Sequence, residues 1–240
     1  MPLTATPTVH SFYRYNIEPA MLDAQKRVFE HFGVPLNQCR DDKAKHAGWI
    51  DALLADEGQG DIMVIADIDA FPLSYGAYAQ LVAAAERGAI AGLAQTTNDK
   101  RPDKIFAAPM FLAMRRSVWR DFGAPSMFPY DTGDVAQIMT DTAEARGVEV
   151  ALTYPSFALR PIWGLANRGV YGTATFYGDM EFFHLYQARH INTVDLFCAI
   201  ADGAIAGRHD WGAYLQMLAA APAEENRGRS LSQMIRKLRG

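Results

Sequence analysis

The amino-acid sequence predicts an α/β fold in which a mostly parallel sheet is covered by helices on both faces. Three observations predict it. The run Ile62 to Ala66 is continuously apolar, passes into Asp67-Ile68-Asp69 and stops at Pro72, as a strand buried on both faces does. Short apolar runs alternate with segments of helical spacing through the first half of the chain, which gives β-α-β-α-β. The length of 240 residues, with 50% hydrophobic and 21% charged residues, suffices for one large α/β domain with a full core, or for two small ones. Residues 1–225 read as that single domain and residues 226–240 as a basic amphipathic tail.

Taken in order, Thr8 to Tyr13 is the first strand and Arg14-Tyr15-Asn16 a polar loop at its end. Pro19 suits a first helical turn, and Met21, Leu22, Gln25, Val28, Phe29 and Phe32 keep helical spacing until Gly33. Val34 to Cys39 is a second strand, closed by Arg40-Asp41-Asp42. Ala47, Ile50, Leu53 and Leu54 mark a second helix with His46 at its start, and Gly58 and Gly60 lead into the central strand.

Asp67 and Asp69 are two apart, so in extended backbone their carboxylates leave the same face, at the strand end where open α/β sheets bind ligands. Two hard oxygen ligands there suit Mg²⁺ or Mn²⁺. The plainer alternative makes Asp67 a strand-end residue and Asp69 a turn cap.

An apolar strand ending in Asp-X-Asp resembles the metal-dependent, nucleotide-sugar glycosyltransferases of the GT-A family, here through Asp67-Ile68-Asp69. That resemblance implies a GT-A-like, Rossmann-type domain and a nucleoside-diphosphate sugar as donor, with uridine the expected base. It also implies that Tyr13, Arg14, Asp41, Asp42, Lys45 and His46 contact the nucleoside; read singly, each is equally a residue of a solvated polar loop.

Beyond the acidic motif, Ser74 can cap a helix through Leu81 and Val82 to Gly88, and Ala89 to Gln95 is a further apolar strand. Thr96 to Lys104 reads as a polar loop long enough to close over a donor. Phe106 to Met114 is a strand whose Ala107-Ala108-Pro109 either leaves room for a sugar ring or packs tightly on a helix. Phe128 to Asp134 opens a helix carrying Val135, Ile138, Met139 and Thr142 on one face. Its carboxylates are helix caps in the plain reading. The resemblance makes Asp131, and secondly Asp134, the group that touches the donor sugar or deprotonates the acceptor hydroxyl. Val148 to Thr153 is a late strand, and Tyr154 to Tyr177, rich in Pro, Gly and aromatic residues, reads as irregular.

His184 lies in Phe182-Phe183-His184-Leu185-Tyr186, where an unpaired imidazole is costly; it is a hydrogen-bonded core residue or a metal ligand. The resemblance favours the ligand: Asp69 and His184 hold Mn²⁺ or Mg²⁺, Asp67 bridges metal and ribose, and Arg189 clamps the diphosphate. Closing helices follow over Ile191 to Ala206 and Trp211 to Ala219. In the tail, Arg227, Arg229, Arg236, Lys237 and Arg239 accompany Leu231, Met234, Ile235 and Leu238 at helical spacing. Such a segment can lie on an anionic membrane, follow a nucleic-acid backbone, pack on a partner chain, or stay a solvated tail.

The net charge of −4 gives no general attraction to nucleic acid. Cys39 and Cys198 form no paired motif, the N-terminus lacks a signal-peptide pattern, and no long apolar run occurs, so a cytoplasmic protein is expected. The acceptor implied by the resemblance is a glycan or lipid-linked saccharide or, through a likeness of the His184–Arg189 segment to small virus-encoded glycosyltransferases, a hydroxymethylated pyrimidine in DNA. Two other readings compete. One is a haloacid-dehalogenase-type phosphotransferase, disfavoured by the late position of Asp67 and by Phe71 where such enzymes carry Thr or Val. The other is a sugar-nucleotide or glycan-binding module without turnover.

Overall fold

The structure, a computed structural model, describes residues 6–97, 101–186, 188 and 193–220. The tail 226–240 and Arg189 therefore lie outside the described residues. The first half follows the expected alternation: β1 (Val9–Tyr13), α1 (Pro19–His31), β2 (Leu36–Arg40), α2 (His46–Ala55) and β3 (Ile62–Asp67). Pro19 occupies the first turn of α1 and Gly33 follows its end at φ +65°, a left-handed value that costs glycine nothing. After β3 come β4 (Ala70–Pro72), α3 (Tyr75–Glu86), β5 (Ile90–Thr97), β6 (Arg101–Arg115), α4 (Arg116–Asp121) and α5 (Gln137–Arg146). The chain continues through β7 (Val150–Thr153), β8 (Pro155–Gly164), β9 (Val170–Tyr177), β10 (Phe182–Leu185), α6 (Val194–Ala206) and α7 (Trp211–Ala220). Ser74 caps α3 as its sequence position suggests, its hydroxyl accepting from Ala77 N at 3.1 Å.

Among the described residues the strands form a six-stranded sheet, ordered β2-β1-β3-β6-β5-β7, and a four-stranded sheet, ordered β4-β10-β9-β8. In the larger sheet only β6 runs against its neighbours; β1 is parallel to β2 and β3, and β5 to β7. Period-two alternation divides the sheet's side chains between two cores. Val64 and Ala66 of β3 join α1, α3 and α6 on one face, while Met63 and Ile65 join α2, α4 and α5 on the other. Val64 and Ile65 are fully buried, and each such aliphatic side chain contributes about 1.5–3 kcal/mol over exposure. The continuous apolar run is thus a strand with helices on both faces.

β6 breaks this regularity next to the site. Gly92 of β5 pairs with Leu112 and the next residue, Leu93, with Ala108, so Pro109, Met110 and Phe111 are extra residues on β6. A proline without an N–H donor is tolerated in such a bulge. Gly92 lies against the bulge: a Cβ there would stand 2.9 Å from Phe111 O.

Three readings of the sequence are corrected. Thr96 to Lys104 is not a long loop, because β5 runs to Thr97 and β6 starts at Arg101; strand pairing outweighs the polar composition. Tyr154 to Tyr177 is not irregular but the antiparallel pair β8–β9. Its prolines misled because β8 is an edge strand with register shifts at Pro155/Phe157 and Pro161/Trp163, where proline is admissible. The helix expected from Asp134 begins at Gln137, after Ala136 in the left-handed region at φ 61°, and it buries Gln137, Met139, Thr140 and Ala143. No helix among the described residues is long and apolar enough to cross a membrane.

The crowding at Gly92 gives a direct expectation. Gly92→Ala forces the β6 bulge to shift and destabilises the fold by about 1–3 kcal/mol, the usual cost of overpacking a full core. Urea denaturation followed by circular dichroism measures it.

Candidate active site

The turn Asp67-Ile68-Asp69 is where the chain leaves one sheet for the other. β3 of the large sheet ends at Asp67 and β4 of the small sheet begins at Ala70. β10 pairs antiparallel with β4, placing His184 opposite Ala70, and Leu185 N donates to Asp69 O at 2.9 Å. One ladder therefore carries a late histidine to an early acidic turn. His184 Nε2 stands 3.5 Å from Asp69 Oδ1. Among the described residues, Asp67, Asp69 and His184 form a group whose candidate ligand atoms all lie within 4.8 Å of one another.

The donor set fits a divalent cation. Six oxygen or nitrogen ligands at about 2.1 Å stand roughly 3–4 Å from one another, so small side-chain rotations bring these three into range. Two carboxylates and one imidazole suit Mn²⁺ or Mg²⁺ better than a thiolate-seeking metal. His184 is buried, 5% exposed, and its Nδ1 lies 3.3 Å from the hydroxyl of the buried Tyr171. Burial pushes the Tyr171 phenol well above its usual range, so it stays a neutral hydroxyl. A hydroxyl serves either ring tautomer: it donates to a bare Nδ1, or it accepts from Nδ1–H when Nε2 offers its lone pair to an ion.

These groups line a cleft of about 310 Å³, at the small end of ligand-binding cavities. Its wall takes Tyr13 from the end of β1, Asp67 from the end of β3 and Gln95 from late in β5, the carboxyl edge at which open sheets bind ligands. Pro109 and Met110 of the bulge, Tyr171 and Tyr186 complete it. Ala107 and Ala108 are buried instead; Ala107 N donates to Thr140 Oγ1 of α5 at 3.0 Å, so close helix packing explains these small residues. Trp163 stacks on Tyr171, with ring centroids 5.7 Å apart, and meets Tyr186 edge-on at 4.8 Å.

Of the residues named from the sequence, the cleft brings together Tyr13, Arg14, His46, Asp67, Asp69 and His184. Arg14 Nη2 donates to Ala44 O, tying the loop after β1 to the loop after β2. The His46 ring stacks on Phe12 at 5.7 Å, and its Nε2 lies 3.5 Å from Asp67 Oδ1. Asp41, Asp42 and Lys45 do not line the cleft; they build its neighbouring loop. Asp41 Oδ1 accepts from Ala44 N and Lys43 N at 2.9 and 2.8 Å, and these bonds hold its carboxyl below the usual range. Asp42 is likewise held low, chiefly by Arg40 and secondarily by Tyr15 N. Lys45 Nζ lies 5.9 Å from the centre of the Phe128 ring.

Asp131 and Asp134 are also absent from the cleft wall. Asp131 is exposed, and Asp134 Oδ1 accepts from Val135 N at 2.8 Å, a contact within the segment that precedes α5. Tyr130 OH donates to Asp141 on α5, which fastens this acidic segment to the helix rather than to the site. Sequence reasoning missed Gln25, which it placed only on the helical face of α1. This side chain is fully buried, with its amide against the backbone of the acidic turn. A polar residue within an otherwise apolar helical stripe was the available signal.

No protein-family model matches the chain, and no curated protein matches it. Among solved structures, it is similar to a proposed nucleotide-diphospho-sugar transferase from Desulfovibrio desulfuricans G20, with TM-score 0.38 and 10% identity over 61% of this chain and 79% of that one. It is similar also to a 4-diphosphocytidyl-2C-methyl-D-erythritol synthase from Anaerococcus prevotii, with TM-score 0.35 and 11% identity over 62% and 89% of the two chains. A third is a proposed glucose-1-phosphate thymidylyltransferase from Bacillus anthracis, solved with sucrose, with TM-score 0.34 and 12% identity over 62% and 87%. At such scores and identities no activity transfers to this chain, and the chemistry of the cleft carries the functional reading.

Removing the Tyr171 hydroxyl leaves His184 Nδ1 without its partner. If the group of Asp67, Asp69 and His184 holds Mn²⁺, Tyr171→Phe weakens that binding about tenfold, the usual cost of losing a group that orients a ligand histidine. Titration of Mn²⁺ with the free ion followed by electron paramagnetic resonance reads it.

Proposed function

We propose that this chain is a metal-dependent glycosyltransferase that moves a sugar from a nucleoside-diphosphate sugar, with uridine the expected base, to an acceptor hydroxyl. One observation carries the reading: two carboxylates and a buried imidazole, from distant parts of the chain, converge at the carboxyl edge of a mostly parallel sheet and face a ligand-sized cleft. A phosphatase-type reading has no comparable use for a histidine fixed beside the second aspartate.

In this proposal Asp69 and His184 would hold Mn²⁺ or Mg²⁺, and Asp67 would serve both the metal and the ribose. When bound, the ion supplies positive charge beside the departing diphosphate. The residues of the chain itself do the rest. Tyr13, Arg14 and His46 form the end of the cleft formed by the loops after β1 and β2 and receive the nucleoside. Arg14, fixed by Ala44 O, adds a cation whose fork of donors suits phosphate oxygens. The Phe12–His46–Trp49 stack holds the imidazole edge toward Asp67 and limits its rotation. Met110, Pro109 and the ring of Tyr171 add apolar surface to the lining, which would help to keep water from a bound donor. Tyr186, next to the Trp163 ring, presents a surface suited to a sugar or base on the acceptor side.

The test is a thermal-shift series with nucleotide sugars, each with and without Mn²⁺. A UDP-sugar at a hundred times its Kd stabilises by about 2.7 kcal/mol. That shift is expected only in the presence of the ion, and it is expected to disappear in Asp69→Ala and His184→Ala. A stabilisation independent of metal, or one retained by both variants, overturns the assignment.

A further inference from the structure

We infer that Gln25, on α1 and outside the cleft wall, is a positioning residue that fixes the spacing of the acidic turn and so sets the metal affinity of the site. The inference rests on the metal-dependent reading given above.

The side chain is fully buried on the core face of α1, a place where leucine or methionine would pack without a polar group to satisfy. Its Nε2 lies 2.9 Å from Asp67 O and 2.9 Å from Ala70 O, with Ser11 Oγ a longer third contact at 3.3 Å. An amide nitrogen has two hydrogens, and the two short contacts use them on the carbonyls at either end of the turn. Neither carbonyl can donate, so the nitrogen, not the oxygen, must face them. The opposite end agrees: Gln25 Oε1 accepts from Gln38 Nε2 at 3.0 Å, and Gln38 is oriented in turn by Leu22 O at 2.9 Å.

The position explains the need. Here the backbone passes from β3 to β4, and the ladder of one sheet ends before that of the other begins. Gln25 gives both carbonyls a buried donor, and a buried carbonyl left unpaired costs about 1–3 kcal/mol. One side-chain amide spans both, so the ends of the turn cannot drift apart. Asp67 and Asp69 are carried on this turn. Leu185 N holds Asp69 O from the β10 side, so the turn is pinned from two directions. Without Gln25 the two carboxylates lose their fixed separation, and binding an ion must then restore it.

The test compares Gln25→Met, close in volume and unable to donate, with the unchanged protein. Mn²⁺ titration and thermal unfolding of the metal-free chain are measured on both. The expected result is a cooperatively folded variant whose Kd for Mn²⁺ rises about tenfold or more, the range seen when a group supporting a metal ligand is lost. A role confined to packing would lower the unfolding temperature and leave the Kd unchanged; a Kd within twofold of the unchanged protein overturns the inference. Should Gln25→Met not fold, Gln38→Met, which removes the donor shared by Gln25 Oε1 and Leu22 O and leaves the Gln25 amide in place, is read in the same titration. A rise of about threefold then supports the inference and an unchanged Kd overturns it. An unchanged protein that binds no Mn²⁺ overturns the metal-dependent reading and this inference together, a pattern distinct from normal binding in both variants.

Discussion

The rest of the site depends on the antiparallel pairing of β10 with β4. Two carboxylates within 4.8 Å of one another repel by about 3 kcal/mol at an effective dielectric of ~20, before any neighbour is counted. The ladder places a third polar group beside them, the imidazole of His184. Because His184 lies opposite Ala70 and Leu185 N is bound to Asp69 O, the imidazole has little choice of place. The backbone, more than any side-chain contact, sets this geometry. That also explains why the small sheet is so thoroughly packed: Phe71, Phe176, Phe182 and Phe183 are all buried, and they hold β4, β9 and β10 against the helices behind them.

The cleft then follows from where elements stop. β1 and β3 end on the same side, and the bulge in β6 turns Pro109 and Met110 toward the space they leave. The smaller sheet closes that space with Tyr171 and Tyr186. The lining therefore combines carboxylates, a guanidinium and imidazoles with aromatic and aliphatic side chains.

Much of this was legible in the chain, for physical reasons that differ from element to element. The central strand was plain because burial on both faces leaves no polar residue from Ile62 to Ala66. Asp67 and Asp69 stood out because their spacing of two sends both carboxylates from one face at the end of such a strand. His184 was visible by the same logic, as an imidazole among aromatic residues, although its neighbour could not be read from spacing, since pairing of β10 with β4 is a long-range event. The β8–β9 pair was missed because Pro155 and Pro161 argue against a strand unless it is known to lie at an edge. Asp131 and Asp134 were chosen by analogy of position; the sequence could not reveal that Tyr130 would fasten their segment to α5 through Asp141. Gln25 was seen only as one point on a helical stripe, because what a buried amide bonds to depends on the tertiary fold.

The distance along the chain between the acidic turn and its histidine has a consequence for biosynthesis. A protein emerges from the ribosome N-terminus first, so Asp67 and Asp69 are exposed long before β10 exists to cover them. During that interval the nascent chain has the two acids but not His184. In the proposed reading the three candidate ligands come together only once β10 has docked on β4, which would tie ion uptake to that pairing.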